Sequence, residues 1–151
     1  MESKEPAVVL VAFYNTKALG VRYLETALKK AGYRVVTVFY KTFNSIHPSK
    51  TTQAELDLLV EKIRSAQPLM VGLSVMSSMY LDTVELVIDA VESKLGLPIV
   101  HGGAFASMFP ERFLRREGKD FVIRTDGEHA ICALADALRI GGDFQVGRAH
   151  V

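Results

Sequence analysis

"AVVLVAF" (residues 7–13) is an uninterrupted apolar run, rich in valine. A strand with one wet face alternates apolar and polar residues, so this run predicts a strand covered on both faces, as in parallel sheets. The following segment, 24–31, has apolar residues at helical spacing and ends at Gly32. A buried strand followed by an amphipathic helix is the unit from which parallel α/β sheets are built.

Four more apolar runs continue the pattern, at 33–40, 69–76, 98–101 and 120–125. Segments with helical periodicity separate them, and such strict alternation calls for a parallel sheet with right-handed crossovers. The chain length suits a three-layer α/β, Rossmann-like domain. The predicted fold is a flavodoxin-like, five-stranded parallel sheet of order 2-1-3-4-5, with helices on both faces.

Capping residues mark several predicted helix ends. Thr52 and Glu55 have capping-box spacing, and Gly96 follows the third helical stripe. A proline opens a predicted short helix over 110–116, because proline suits a first helical turn. Asp126 is placed to cap the last helix.

Composition narrows the possible functions. The 151 residues, 49% of them hydrophobic, suit one domain. The net charge is +1 and the sequence contains no basic run, which argues against nucleic acid or an anionic membrane as partner. No signal peptide or long apolar stretch is present, so we expect a soluble, cytoplasmic protein. Cys132 is the single cysteine and cannot build a disulfide, zinc or iron–sulfur site. We predict no metal site in the chain.

Ligands of such sheets bind beyond the carboxyl ends of the strands, which directs attention to the loops at 14–20, 74–80 and 101–109. Because the strands they follow are neighbours in the predicted order, these loops should converge. They supply small residues and large apolar ones, but no carboxylate. An elongated ligand could therefore lie against backbone, oriented by hydroxyls and N–H groups.

Several common functions are excluded by what these loops lack. A phosphorylated receiver domain needs acidic residues after strands one and three, a dinucleotide fold needs G-x-G-x-x-G, and a flavodoxin needs a phosphate loop. None of these is present, and no nucleophile–base pair is visible. We predict no catalytic residue.

Three segments in order carry a family resemblance: "VGLSVM" (71–76), "PIVHGGAFASMFPE" (98–111) and "DFVIRTDGEHAICALADAL" (120–138). Together they resemble the cobalamin-binding domain at the N-terminus of many radical S-adenosylmethionine enzymes, in particular the subgroup of anaerobic magnesium-protoporphyrin monomethyl ester cyclase. The resemblance implies that residues 1–140 are the cobalamin-binding domain. It implies that 141–151 is a tail or the start of a linker.

The resemblance also implies which residues hold cobalamin. The family's D-x-H-x-x-G motif reads Asn15, Lys17 and Gly20, so its Asp and its cobalt-binding His are replaced. Because a protonated lysine is a poor cobalt ligand, the cobalt is expected to lack a lower His ligand. The other implied cofactor-binding residues lie in the S-x-L, G-G and G-E-G-E elements: Ser74, Val75, Met76, His101, Gly102, Gly103, Ala104, Gly127 and Glu128.

For the parent protein, the resemblance implies a C-terminal radical S-adenosylmethionine domain in the same polypeptide. That domain would hold the [4Fe–4S] cluster and S-adenosylmethionine, for ring formation in tetrapyrrole biosynthesis or for methyl transfer. This chain alone should then bind and not catalyse. Two alternatives stay open: a degenerate flavodoxin-like scaffold that binds no cofactor, and a small enzyme acting on a phosphorylated metabolite. The glycine pair could also serve only a tight turn.

Overall fold

The structure, a computed structural model, describes residues 5–15, 17–41, 49–124 and 127–141. Five parallel strands form one sheet of order β2-β1-β3-β4-β5, which confirms the predicted fold. The strands are β1 Ala7–Phe13, β2 Arg34–Tyr40, β3 Pro68–Ser74, β4 Ile99–Gly102 and β5 Asp120–Val122. The α-helices are α1 Leu19–Lys30, α2 Gln53–Ala66, α3 Leu81–Ala90, α4 Ala104–Met108 and α5 Glu128–Ile140. A π-helical turn, Val91–Leu95, extends α3, and 3-10 turns lie at Ser78–Tyr80 and Pro110–Arg112.

The sheet separates two apolar cores. Helices α1 and α5 cover the face that contains Val8 and Leu10, whereas α2 and α3 cover the face that contains Val9 and Val11. Every residue of β1 is buried, as its uninterrupted apolar run predicted. The site described below lies on the α1–α5 face.

Two of the predicted helix ends are confirmed. The Thr52 hydroxyl accepts from the Glu55 N–H at 3.2 Å, and the Glu55 carboxylate accepts from the Thr52 N–H at 2.9 Å. This capping box satisfies two amides at the start of α2. Gly96 ends the π-helical turn in the left-handed region, at φ 62°. The segment 125–126, with the predicted Asp126 cap, lies outside the described residues, and α5 has Gly127 as its N-cap.

The predicted helix over 110–116 is wrong. The chain forms α4 earlier, and the proline opens only the 3-10 turn. The reason is the buried carboxylate of Asp120, which accepts from the N–H groups of Arg115 (3.2 Å) and Arg116 (2.7 Å). These amides are thereby held in a turn. The Arg116 guanidinium also pairs with Asp120 at 2.8 Å, which compensates the buried charge.

Two strands are shorter than predicted. β3 ends at Ser74 and not at residue 76, and β5 ends at Val122 and not at residue 125. Beyond Ser74 the chain continues to donate to a neighbour, since the Val75 N–H reaches the Gly102 carbonyl at 2.7 Å. Within the described ranges, no helix is both long and apolar enough to cross a membrane.

His101 is buried on the α2–α3 face of β4, where its ring packs on Phe113 with centroids 4.9 Å apart. Neither ring nitrogen has a hydrogen-bond partner among the described residues. Burial lowers the pKa of His101 to about 3, against the opposing effect of Asp120 and with a smaller contribution from two nearby arginines. The imidazole is therefore neutral in the folded protein at ordinary pH.

This burial predicts a stability that falls with acidification. Because the pKa of His101 is depressed on folding, the unfolded chain binds the proton more readily, and stability is lost as the pH falls from about 6.5 towards 3. Between pH 7 and pH 5 the native chain should lose about 2 kcal/mol more than the His101→Phe variant. Urea unfolding at both pH values measures this difference. An equal loss in the two proteins would contradict the burial of a neutral imidazole.

Candidate functional site

Strand register places small residues side by side near the carboxyl edge of the sheet. Ala12 of β1, Ser74 of β3 and Gly102 of β4 are aligned as direct partners. The row beneath it, two residues earlier on each strand, is Leu10, Gly72 and Val100. Because alternate residues of a strand face the same side, both rows face α1 and α5. The sheet surface beneath these two helices is therefore recessed.

A cleft of about 230 Å³ occupies this recess between α1 and α5. Its sheet side carries Leu10, Gly72 and Val100, and Ser74 and Gly102 lie nearer the edge. Its walls come from both helices: Gly20, Val21, Tyr23 and Leu24 from α1, and Gly127, Glu128 and Ile131 beside or on α5. The cleft continues into a second pocket at the start of α1, which shares Gly20, Ser74 and Met76 and adds Asn15 and Lys17.

Gly102, the last residue of β4, and Gly103, the residue after it, have different roles. A Cβ at Gly102 would meet nothing within 4 Å, so a side chain there would enter the open cleft. Gly103 has φ 98° and ψ 171°, a conformation restricted almost to glycine. A Cβ there would lie 2.6 Å from the Val75 carbonyl oxygen. Gly102 thus leaves space for a ligand, whereas Gly103 allows a close approach of backbone.

Val75 joins the end of β3 to the start of α4. Its carbonyl accepts from the Phe105 N–H at 3.0 Å, and its side chain packs in the α2–α3 core. Val75 therefore holds the start of α4 through its backbone and does not line the cleft.

The loop after β1 is shaped by an amide side chain. The Asn15 Oδ1 accepts from the N–H groups of Lys17 (3.0 Å) and Ala18 (3.1 Å). This oxygen is therefore already engaged with its own loop and does not orient a ligand. The Lys17 side chain is exposed and lines the second pocket.

Apolar side chains stand exposed around the carboxyl edge. Met76 is 54% exposed, Met79 61% and Met108 70%, which is unusual for methionine unless something covers it. Because Met76 also lines the cleft, this apolar rim is continuous with the cleft's mouth. The strand ends are therefore open and not sealed by packed side chains.

The structure brings most of the predicted site residues together, as the convergence of the three loops required. Seven of them line the cleft: Gly20, Ser74, Met76, Gly102, Gly103, Gly127 and Glu128. Two more, Asn15 and Lys17, line the second pocket. Three do not line either pocket: the Val75 side chain, His101 on the opposite face, and the exposed Ala104. The sequence reasoning missed Gly72, although a glycine inside an apolar strand is a signal of close approach. Of the α1 and α5 walls it missed Val21, Tyr23, Leu24 and Ile131.

The two glycines predict opposite responses to the same substitution. Gly103→Ala should lower the free energy of unfolding by about 2 kcal/mol, because it adds strain at positive φ and a clash with a carbonyl oxygen. Gly102→Ala should change it by less than about 0.5 kcal/mol, because its methyl group meets open space. Thermal and urea unfolding of the two variants measure this. Equal destabilisation would contradict the division of roles.

Comparison with known proteins adds two findings. The B12 binding domain family matches residues 6–135. A solved structure of the radical S-adenosylmethionine methyltransferase TsrM from Kitasatospora setae, with tryptophan substrate and an S-adenosylmethionine analogue bound, superposes with a TM-score of 0.67 at 21% identity. The superposition covers 90% of this chain and 26% of the methyltransferase, so this chain spans about a quarter of that protein's length. No curated protein sequence matches the chain.

Proposed function

The chain belongs to the B12 binding domain family, and we propose that it holds cobalamin with the nucleotide tail in the cleft between α1 and α5. The corrin ring would lie over the carboxyl edge of the sheet. The observation that carries this proposal is the cleft itself, which is open at the edge, where Gly102 presents no side chain. When bound, cobalamin supplies a cobalt centre that can carry a methyl group or an electron.

The residues present fit such a group in three ways. The Gly102 position leaves space that a Cβ would fill. The Ser74 hydroxyl and the Glu128 carboxylate line the cleft, where the hydroxyl could donate to a tail phosphate and the carboxylate could accept from a sugar hydroxyl. The exposed rim of Met76, Met79 and Met108 offers apolar surface to the flat ring above.

We also propose that the protein supplies no lower ligand to the cobalt. Lys17 stands at the motif position of the ligating His, and a protonated ammonium has no lone pair to give. The Asn15 oxygen, at the position of the motif's Asp, accepts from backbone amides of its own loop, so it would not orient an imidazole. Lys17 instead leaves a positive charge beside the second pocket.

For the parent protein we propose a radical S-adenosylmethionine enzyme that carries out ring formation, as in the anaerobic cyclase subgroup of tetrapyrrole biosynthesis, or methyl transfer. Sequence resemblance in three motifs and the shared fold with the methyltransferase support this. With Cys132 as its single cysteine, this chain cannot hold the [4Fe–4S] cluster, so cluster and S-adenosylmethionine would bind in a C-terminal domain of the same polypeptide.

A second candidate is a scaffold domain without cofactor. The replacement of the motif's Asp and His by Asn15 and Lys17 favours it. The open cleft argues against it, because a domain that only scaffolds gains nothing from an unfilled recess beside its core.

The first test blocks the cleft. Gly102→Leu should weaken hydroxocobalamin binding at least about tenfold, because the new side chain enters the proposed path of the tail. Absorbance titration gives the Kd, and retention of the pink colour after desalting gives a second readout. Ala54→Leu, on the exposed surface of α2, adds comparable bulk on the other face of the sheet and should bind like the native chain.

Two results would count against the proposal. A native chain that comes out of desalting colourless and shows no titration would favour the scaffold. Unchanged binding by folded Gly102→Leu would remove the tail from this cleft.

The second test restores the missing ligand. In cob(II)alamin bound to uniformly ¹⁵N-labelled native chain, the electron paramagnetic resonance spectrum should show no nitrogen splitting from the protein. Lys17→His should introduce ¹⁵N splitting, because it places an imidazole at the motif position, and Lys17→Gln should not. ¹⁵N splitting in the native chain would overturn the proposed ligand state.

A further inference from the structure

The deep part of the cleft contains only apolar side chains. Leu10, Val100, Ile123 and Ile131 line it around Gly72, and all four are at most 5% exposed. The polar lining side chains lie nearer the edge or the surface, since Ser74 ends β3, Glu128 begins α5 and Tyr23 is 62% exposed. The backbone offers no alternative hydrogen-bond partner there, because Leu10, Gly72 and Val100 lie in the ladders that pair β1 with β3 and β3 with β4.

The position of Gly72 sets the shape of this floor. A Cβ there would come within 2.7 Å of the Leu10 Cδ2 and 3.5 Å of the Val100 Cγ1. With glycine, Leu10 and Val100 close over β3 and form a continuous apolar surface. The cleft as a whole, from this floor to the edge, has a volume of about 230 Å³.

We propose that this floor selects the lower base of the corrinoid, taking dimethylbenzimidazole in preference to adenine. The inference rests on the proposed binding of cobalamin in this cleft. Dimethylbenzimidazole presents two methyl groups, which gain from contact with Leu10 and Ile131. Adenine presents an exocyclic amine and additional ring nitrogens, which leave water and find no partner on this floor.

The expected preference is roughly tenfold to hundredfold in Kd, the range by which an apolar pocket disfavours a polar analogue of similar size. The experiment titrates the native 151-residue chain with three corrinoids: cobalamin, its adenine-containing analogue, and cobinamide, which lacks the nucleotide. Cobalamin should bind most tightly. Cobinamide should bind more weakly than cobalamin, because it leaves the cleft unfilled.

A near-isosteric substitution tests the floor directly. Val100→Thr places a hydroxyl on it and should bring the Kd values of the two nucleotide-bearing corrinoids closer together. The matched control is Val71→Thr, which is equally buried in a central strand but belongs to the α2–α3 core, and should keep the native preference.

The possible outcomes distinguish base selection from the proposed binding of cobalamin. Equal Kd values for cobalamin and the adenine analogue in the native chain would overturn base selection while leaving cobalamin binding intact. Binding of none of the three corrinoids would overturn both. A cobalamin preference in the native chain supports the inference even where Val100→Thr fails to fold. A preference that is reduced in folded Val100→Thr, but not in Val71→Thr, assigns base selection to the cleft floor.

Discussion

The cleft depends on one packing constraint: two helices are held over a stretch of sheet that lacks the side chains to meet them. Gly127 shows how closely α5 approaches its neighbours, because a Cβ there would lie 3.2 Å from Ile123 and 3.4 Å from Leu24 of α1. Beneath this contact, Leu10 and Val100 close over Gly72 as an apolar floor, and Gly102 at the edge presents no side chain. Since protein interiors are otherwise close-packed, a recess that persists between packed elements is suited to a ligand.

The two faces of the sheet have different roles. On the α2–α3 face, the end of the sheet is filled by large side chains such as Phe13, Tyr14 and Phe113, and β4 buries His101 there. On the opposite face, the last aligned row of the sheet is Ala12, Ser74 and Gly102. Strand alternation makes this possible, because neighbouring residues of β4 can serve stability and binding separately. His101 and Gly102 are adjacent in sequence and lie on opposite faces.

Sequence reasoning reached the fold because its signals are local. Continuous apolar runs, helical stripes and a capping box each report on a few neighbouring residues, and the strand order follows from connection rules. It also found the three loops that meet at the carboxyl edge. It did not distinguish Gly102 from Gly103, because only the approach of the Val75 carbonyl separates their roles.

Other differences have the same origin in long-range contacts. The segment 113–116 turns because the buried Asp120 carboxylate binds its amides, which no local pattern reports. His101 seemed a candidate ligand because it stands beside the glycines, but the face of a strand residue depends on register. The apolar wall residues Val21, Leu24 and Ile131 were missed because α1 and the start of α5 meet across about a hundred residues of sequence, from Leu24 to Gly127.

Amide hydrogen exchange on the native chain, with and without hydroxocobalamin, tests the central claim that the recess between α1 and α5 is the cofactor site. Binding there predicts slower exchange in residues 19–28, 100–104 and 127–135, which surround the cleft, and unchanged exchange in α2 and α3 on the opposite face. Protection confined to α2 and α3, or no protection at saturating cobalamin, would contradict it.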